Sequence, residues 1–395
     1  VPLVAQQLGP DLTRLEVSAG TADIDISLRL PLRNFAAYEL DAELDMHGGE
    51  LSVAGFGLAA TEINGGLNIN QDGVTGVGIE ATLLDGPVTA SVSSSDEEGY
   101  RAQLDFEGEI AAESVGVAFD LPLSAYLAGQ TRWQGTLLLP SNPRSETSRL
   151  RAPLRLTVGS NLSGVALQFP SPLAKLPSEA RDSQVDFTFA QSELLDIEGN
   201  LGTANRFALS FWNREEGLSL RRGSVRFGGS FPLLPPQDGL DISGSFGQVN
   251  LDDWVEVFGQ LFSEVALPLA VPSWTADLEF ADFSIFGQRL GPTTLAIERE
   301  TREWLIDIQS DPVAGQLVVP LDLGSRPQIV ADMRQMHLTR GESDQLTEIN
   351  PRNVPGLLIT ASDFIFGSRR YGELSADVQA DPSGLRLASF QTVNE

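Results

Sequence analysis

The sequence predicts an all-β fold: an elongated, curved, mainly antiparallel, repeat-like sheet with few short helices. Short runs in which apolar and polar residues alternate recur from end to end, the pattern of strands with one buried and one wet face. Turn-forming dipeptides punctuate those runs, and apolar residues at helical spacing are confined to one short stretch.

The clearest runs follow in chain order. Val185, Phe187 and Phe189 alternate with Asp186 and Thr188, and Phe207, Leu209 and Phe211 do likewise. Val225 with Phe227, Leu278 with Phe280, and Trp304 and Ile306 with Ile308 repeat the pattern. Asp72-Gly73, Asp85-Gly86, Glu216-Gly217, Asp238-Gly239 and Pro382-Ser383-Gly384 supply the positive φ of tight hairpins, so neighbouring strands are expected to be mostly antiparallel. Strands recurring about every 12 residues would number roughly 30, too many for a small barrel or sandwich, so the sheet is expected to extend.

The helical candidate is Asn250 to Phe262. Asn250 can cap it, Asp252 and Asp253 suit its positive end, and Trp254, Val257, Phe258 and Leu261 share a face. Gln168 to Pro177, with three prolines, reads as a loop. The polar, proline-bearing stretch from Pro140 to Pro153 marks a boundary. Three segments are expected: an N-terminal β segment over 1–150, a middle one over 151–272 with the short helix, and a C-terminal one over 273–395 holding two related units. Those units show in DFSIFGQRLG from Asp282 to Gly291 and DFIFGSRRYG from Asp363 to Gly372, 81 residues apart and matched with one internal shift.

Composition excludes several classes of function. The chain carries 54 acidic against 26 basic residues, a net charge of -28, which repels nucleic acid. No apolar run is long enough to span a bilayer, since the stretch near Val265 to Trp274 is broken by Pro268 and Pro272. Cysteine is absent, so neither a disulfide framework nor a thiolate metal site exists. The start, Val1-Pro2-Leu3, has no leader pattern, and the chain is read as part of a longer protein.

Candidates for chemistry are few. His47 and His337 stand far apart with no nucleophile elbow, and Asp252-Asp253 is already explained by the helix end. Asn68-x-Asn70-x-Asp72-Gly73 opens like a calcium loop, but its twelfth position is Ile79, so a hairpin turn is the simpler reading. Lys175 is the sole lysine. In a proline-framed loop it is either a lipid-phosphate contact or, the simpler reading, a solvated residue whose stem covers a sheet edge. No cofactor and no metal are expected, and the chain is not expected to be an enzyme.

Several segments in order resemble the YhdP type of the AsmA-like family. They are Ser160-Asn161-Leu162-Ser163-Gly164-Val165 leading into Phe169-Pro170-Ser171-Pro172-Leu173-Ala174-Lys175, then Gly223-Ser224-Val225, then Gly239-Leu240 to Leu251-Asp252-Asp253-Trp254. The twin DF motifs and Asn350-Pro351-Arg352-Asn353-Val354-Pro355 follow, and Leu67 to Ala90 is a looser match to an earlier family repeat. The resemblance implies a periplasmic β-groove protein, tied to the inner membrane through segments outside this chain, that moves phospholipid toward the outer membrane without enzymatic chemistry. The expected groove lining is Phe187, Phe189, Leu209, Phe211, Val225, Phe227, Leu278, Phe280, Ile306 and Ile308 on one concave face. Periodicity alone favours a closed sandwich core, and it is the resemblance that turns the reading to an open groove. A structural or adhesive envelope scaffold and a glycan-active β-solenoid enzyme are the other functional readings, and oligomeric state is not fixed by the sequence.

Overall fold

A run that alternates apolar and polar residues buries every second side chain only when its backbone is extended, and in the computed structural model these runs are strands. The structure describes residues 15–29, 39–53, 58–70, 73–118, 124–141, 152–191, 194–214, 217–257, 273–300, 302–321, 328–339, 355–381 and 384–394. The chain divides into two compact units, one of residues 1–168, 174–221 and 264–269, the other of residues 169–173, 222–263 and 270–395. The described residues form 22 strands rather than roughly 30, because many are long: the first spans 15 residues.

In the first unit, β1 (Leu15–Arg29), β2 (Glu39–Val53), β3 (Leu58–Asn70), β4 (Gly73–Leu83), β5 (Gly86–Ser94), β6 (Tyr100–Ala111), β7 (Leu127–Pro140) and β8 (Leu154–Ser160) each pair antiparallel with the next. β9 (Val165–Leu167) adds to the start of β7, while β8 pairs with β10 (Ser183–Gln191), followed by β11 (Leu194–Leu201) and β12 (Asn205–Arg214). The turn expected at Asp85-Gly86 sits one residue earlier. Leu83 pairs with Gly86, and Leu84 and Asp85 take the positive φ values, 50° and 62°. A seven-residue helix, α1 (Ala112–Ala118), follows β6 and has no periodic signal in AESVGVA.

The second unit takes in Arg222 to Phe227 of β13 (Gly217–Phe227), then β14 (Gly239–Asn250), β15 (Trp274–Ile285), β16 (Gln288–Arg299), β17 (Glu303–Ser310), β18 (Val313–Pro320), β19 (Gln328–Leu338), β20 (Gly356–Phe366), β21 (Arg369–Asp381) and β22 (Gly384–Val393). Most pairs are antiparallel, but β13–β14, β14–β15 and β19–β20 are parallel. Asp238-Gly239 is therefore not a hairpin turn. It ends the crossover that a parallel neighbour requires, and Gly239 opens β14 against Arg222. Asp72, Glu216, Pro382 and Ser383 of the other expected turns lie outside the described residues.

The helical expectation is met in its first turns. Leu251–Trp254 is a 3-10 turn capped by Asn250, whose side chain accepts from the Asp252 N–H. The helix continues to Val257, and residues 258–262 lie outside the described residues. No helix among the described residues is long and apolar enough to cross a membrane.

The twin motifs occupy equivalent places, and they align without the internal shift. Phe283 pairs with Gly291 and Ser284 with Arg289; 81 residues on, Phe364 pairs with Gly372 and Ile365 with Arg370. Register breaks recur at the same points, between Phe280 and Phe283 and between Ala361 and Phe364. Each motif opens the hairpin that follows a parallel pair, with Asp282 bound to Arg289 and Asp363 to Arg370. Those arginines, with His337 leading at Asp363, hold both carboxyls below the usual aspartate range.

Glycines inside the strands are matched to rings. A Cβ on Gly135 would fall 2.1 Å from the ring of Phe106, its partner across β6–β7, and one on Gly199 would fall 2.7 Å from the ring of Phe207, its partner across β11–β12. The ring lies over the bare backbone of its neighbour, so a large residue and a vacant position together fill one sheet site. Gly135→Ala is expected to displace Phe106 and cost about 1–3 kcal/mol, readable as a lowered urea midpoint at unchanged slope.

Candidate functional site

Register carries each strand's apolar residues into rows that cross the sheet. In the second unit Val225, Ile242, Ala276, Ile297, Ile306, Leu317, Ala331, Ile359, Ala376 and Phe390 stand side by side from β13 to β22. Two residues along, Phe227, Gly244, Leu278, Leu295, Ile308, Gly315, Met333, Ala361, Leu374 and Thr392 form a second row. Between them, on the opposite face, run Arg226, Ser243, Asp277, Ala296, Asp307, Gln316, Asp332, Thr360, Ser375 and Gln391. One face is greasy over ten strands and the other is polar.

Six expected lining residues, Val225, Phe227, Leu278, Phe280, Ile306 and Ile308, thus share the apolar face of the second unit. Phe280 and Ile308 are buried, and the other four are half-buried. Phe227 meets Phe246 at 5.0 Å, Phe246 stacks on Phe280 at 5.4 Å, and Phe280 meets Phe283 at 4.7 Å. Every described strand of this unit belongs to the same ladder, so within the unit the described residues supply no second sheet to make a sandwich. A flat single layer would leave these side chains half wet, so the burial of Phe280, Phe283, Ile308, Met333 and Phe364 requires the ladder to bend over its own apolar face. Leu251 and Trp254 of the short helix pack on that cluster, and the Trp254 indole N–H donates to the Ser171 carbonyl at 3.1 Å.

The other four expected residues share a face of the first unit. Leu104, Leu137, Leu156, Phe187, Ile197 and Leu209 form one row, Phe189 pairs with Leu154, and Phe211 pairs with Leu195. Phe187, Phe189, Leu209 and Phe211 are all half-buried. The opposite face holds Thr89, Glu107, Gln134, Gly159, Gln184 and Asn200 in register, and open depressions of about 810 and 430 Å³ follow it. Three of its acids are satisfied by neutral donors: Thr136 and Gln103 donate to Asp105, Thr157 and Gln184 to Asp186, and Ser210 to Asp196. Such pairs let strands carry carboxylates without counter-cations.

Lys175 is not the solvated loop residue expected of it. It is 3% exposed, and its ammonium donates to the carbonyls of Leu162 at 2.7 Å, Val165 at 2.7 Å and Leu176 at 3.1 Å. Burial pulls its pKa below the usual lysine value. All three of its N–H bonds are spent on the backbone, so it offers a lipid phosphate nothing.

At the calcium-loop start Asn70 pairs with Gly73 across β3–β4 and its Oδ1 accepts from the Gly73 N–H at 3.0 Å, while Asp72 lies outside the described residues. Among the described residues no group of three or more His, Asp or Glu converges as a metal site. Sequence reasoning missed one feature of the apolar face: Arg299 stands between Trp274 and Trp304 in register. Its position two residues beyond Ile297 was readable as the same face.

A family model described as "YhdP protein" matches residues 3–395. No curated protein and no solved structure matches the chain.

Proposed function

Because the chain belongs to the YhdP protein family, and because its second unit keeps one face apolar over ten strands, we propose that it is a non-enzymatic section of a lipid conduit of the bacterial envelope. Phospholipid acyl chains lie against the apolar rows while the polar face meets the periplasm. Contact with the inner and outer membranes is made by segments outside this chain.

The observation that carries this reading is the uninterrupted row from Val225 to Phe390, which runs through all ten described strands of the second unit, so that the unit has no further described strand to cover it. Each acyl methylene removed from water there contributes about 0.8 kcal/mol, so length of apolar surface, and no reactive group, is what the task demands. A scaffold or a glycan-active enzyme has no need of such a face.

Photo-crosslinking tests it. Leu295 and Ile306 are half-buried on the two rows and are better probe positions than buried Phe280. A photoreactive residue at Leu295 is expected to yield phospholipid adducts in cells, and organic extracts of the purified protein should contain phospholipid by mass spectrometry. Adducts to protein only, with lipid-free extracts, would leave the scaffold reading standing instead.

A further inference from the structure

Arg299 is the one basic side chain that the register sets directly in line with the apolar rows of β15, β16 and β17. It follows Leu295 and Ile297 at intervals of two, so it points to their side of the sheet. Trp274 is its partner on β15 and Trp304 its partner on β17. The guanidinium lies 5.9 Å from the Trp304 ring centre, and the two indoles meet edge to face at 6.0 Å.

Among the described residues, two donors in this place lack acceptors. Among the described residues Arg299 has no carboxylate within ion-pair distance, in a chain where acids outnumber bases 54 to 26. The Trp274 indole N–H is buried and has no hydrogen-bond partner. The charged groups nearest in sequence are elsewhere: Glu300, Arg302 and Glu303 belong to the hairpin end, where the Glu300 N–H donates to the Glu303 carbonyl, and Glu298 faces the other side. A half-buried guanidinium on an apolar face, beside an unused indole donor, lacks an anion.

We propose that Arg299, framed by Trp274 and Trp304, is a headgroup subsite that takes the phosphate of a lipid whose tail lies on the apolar rows. The guanidinium fork suits two phosphate oxygens, and the flanking indoles exclude water from the contact. From Arg299 to Thr293 the strand rises about 20 Å, which gives a tail room beside Ile297 and Leu295. The proposal rests on the conduit reading and adds to it the place where the head is held.

Calorimetric titration with two probes of equal tail, dodecyl phosphate and an uncharged dodecyl ether, separates the two ideas. The unaltered protein is expected to bind the phosphate about tenfold more tightly than the ether. Arg299→Gln should reduce the phosphate to the affinity of the ether and leave the ether unchanged. Added salt should erode the preference in the unaltered protein, a readout that does not depend on a variant folding. If the ether binds and no phosphate preference exists, or if Arg299→Gln keeps the preference, the subsite is overturned and the conduit stands. If neither amphiphile binds, both fall. If inorganic phosphate competes as well as dodecyl phosphate, the site takes a free anion and the lipid headgroup assignment is wrong.

Discussion

Phe280→Glu should cost the second unit about 3–5 kcal/mol of stability at neutral pH and abolish lipid crosslinking from Leu295. Phe280 is 8% exposed, with Phe246 stacked on it, Phe283 tilted against it and Thr293 opposite in register. The Thr293 hydroxyl already donates to the Gly291 carbonyl. A glutamate there therefore meets no cation among its described neighbours, and burial raises its pKa above the unfolded value. The sign follows: the folded variant binds the proton more tightly than the unfolded chain, so the penalty is full at neutral pH and shrinks as pH falls through that raised pKa. Phe280→Leu keeps the site apolar and should cost only about 1 kcal/mol with crosslinking retained. Urea titrations of both variants at neutral and mildly acidic pH decide it. Equal midpoints for Phe280→Glu and the unaltered protein would mean that the apolar cluster does not enclose this ring.

What the sequence made legible was periodicity, and what it hid was partnership. Phe187, Phe189, Leu278, Phe280 and Ile308 announced their face because a strand puts every second residue on one side. The rows they join contain Gly244, Gly315, Ala276 and Ala361 as well, and nothing apolar in a glycine marks it as part of a greasy face. Those positions are fixed by the close approach of the neighbouring strand, as the Cβ and carbonyl oxygen of Phe227 beside Gly244 show, and pairing between strands is not written in either strand alone. Parallel pairs were missed for a related reason. Asp238-Gly239 is a good turn dipeptide, but whether the chain folds straight back or crosses over depends on which strand is free to accept it. The offset between the twin motifs was legible to the residue, while the supposed shift came from matching Phe-Gly to Phe-Gly. The fold instead matches the strand register, placing Phe286 against Gly367 and Gly287 against Ser368, at the two turn positions. Lys175 was misread because a lone charge in a proline loop looks solvated until its three carbonyl acceptors are in view.

Lys175→Met should lower the stability of the first unit by about 3 kcal/mol, although it removes a buried charge and puts an apolar chain of similar length in its place. Replacing a buried ion by a hydrophobe is often harmless when its partners go with it, but here the partners are main-chain carbonyls and stay. Leu162, Val165 and Leu176 would each lose an ammonium donor. The same loop is held by the paired backbone bonds between Leu167 and Lys175, so the side chain and the main chain fasten one short stretch together. The identity of the residue follows from its shape: three acceptors surround one point, which suits the compact, three-donor ammonium, whereas the planar fork of arginine does not fit. That accounts for a lysine at this position in a chain whose 25 other basic residues are arginines. Lys175→Arg is accordingly expected to destabilise as well. Because burial depresses the Lys175 pKa, the folded state gives up its proton before the unfolded chain, so this group's contribution becomes more favourable as pH rises from the depressed value toward 10.5. Chemical unfolding at neutral pH, followed by circular dichroism, measures the loss. If Lys175→Met unfolds at the same urea concentration as the unaltered chain, the three carbonyls are satisfied by other means and the ammonium is not what fastens the loop.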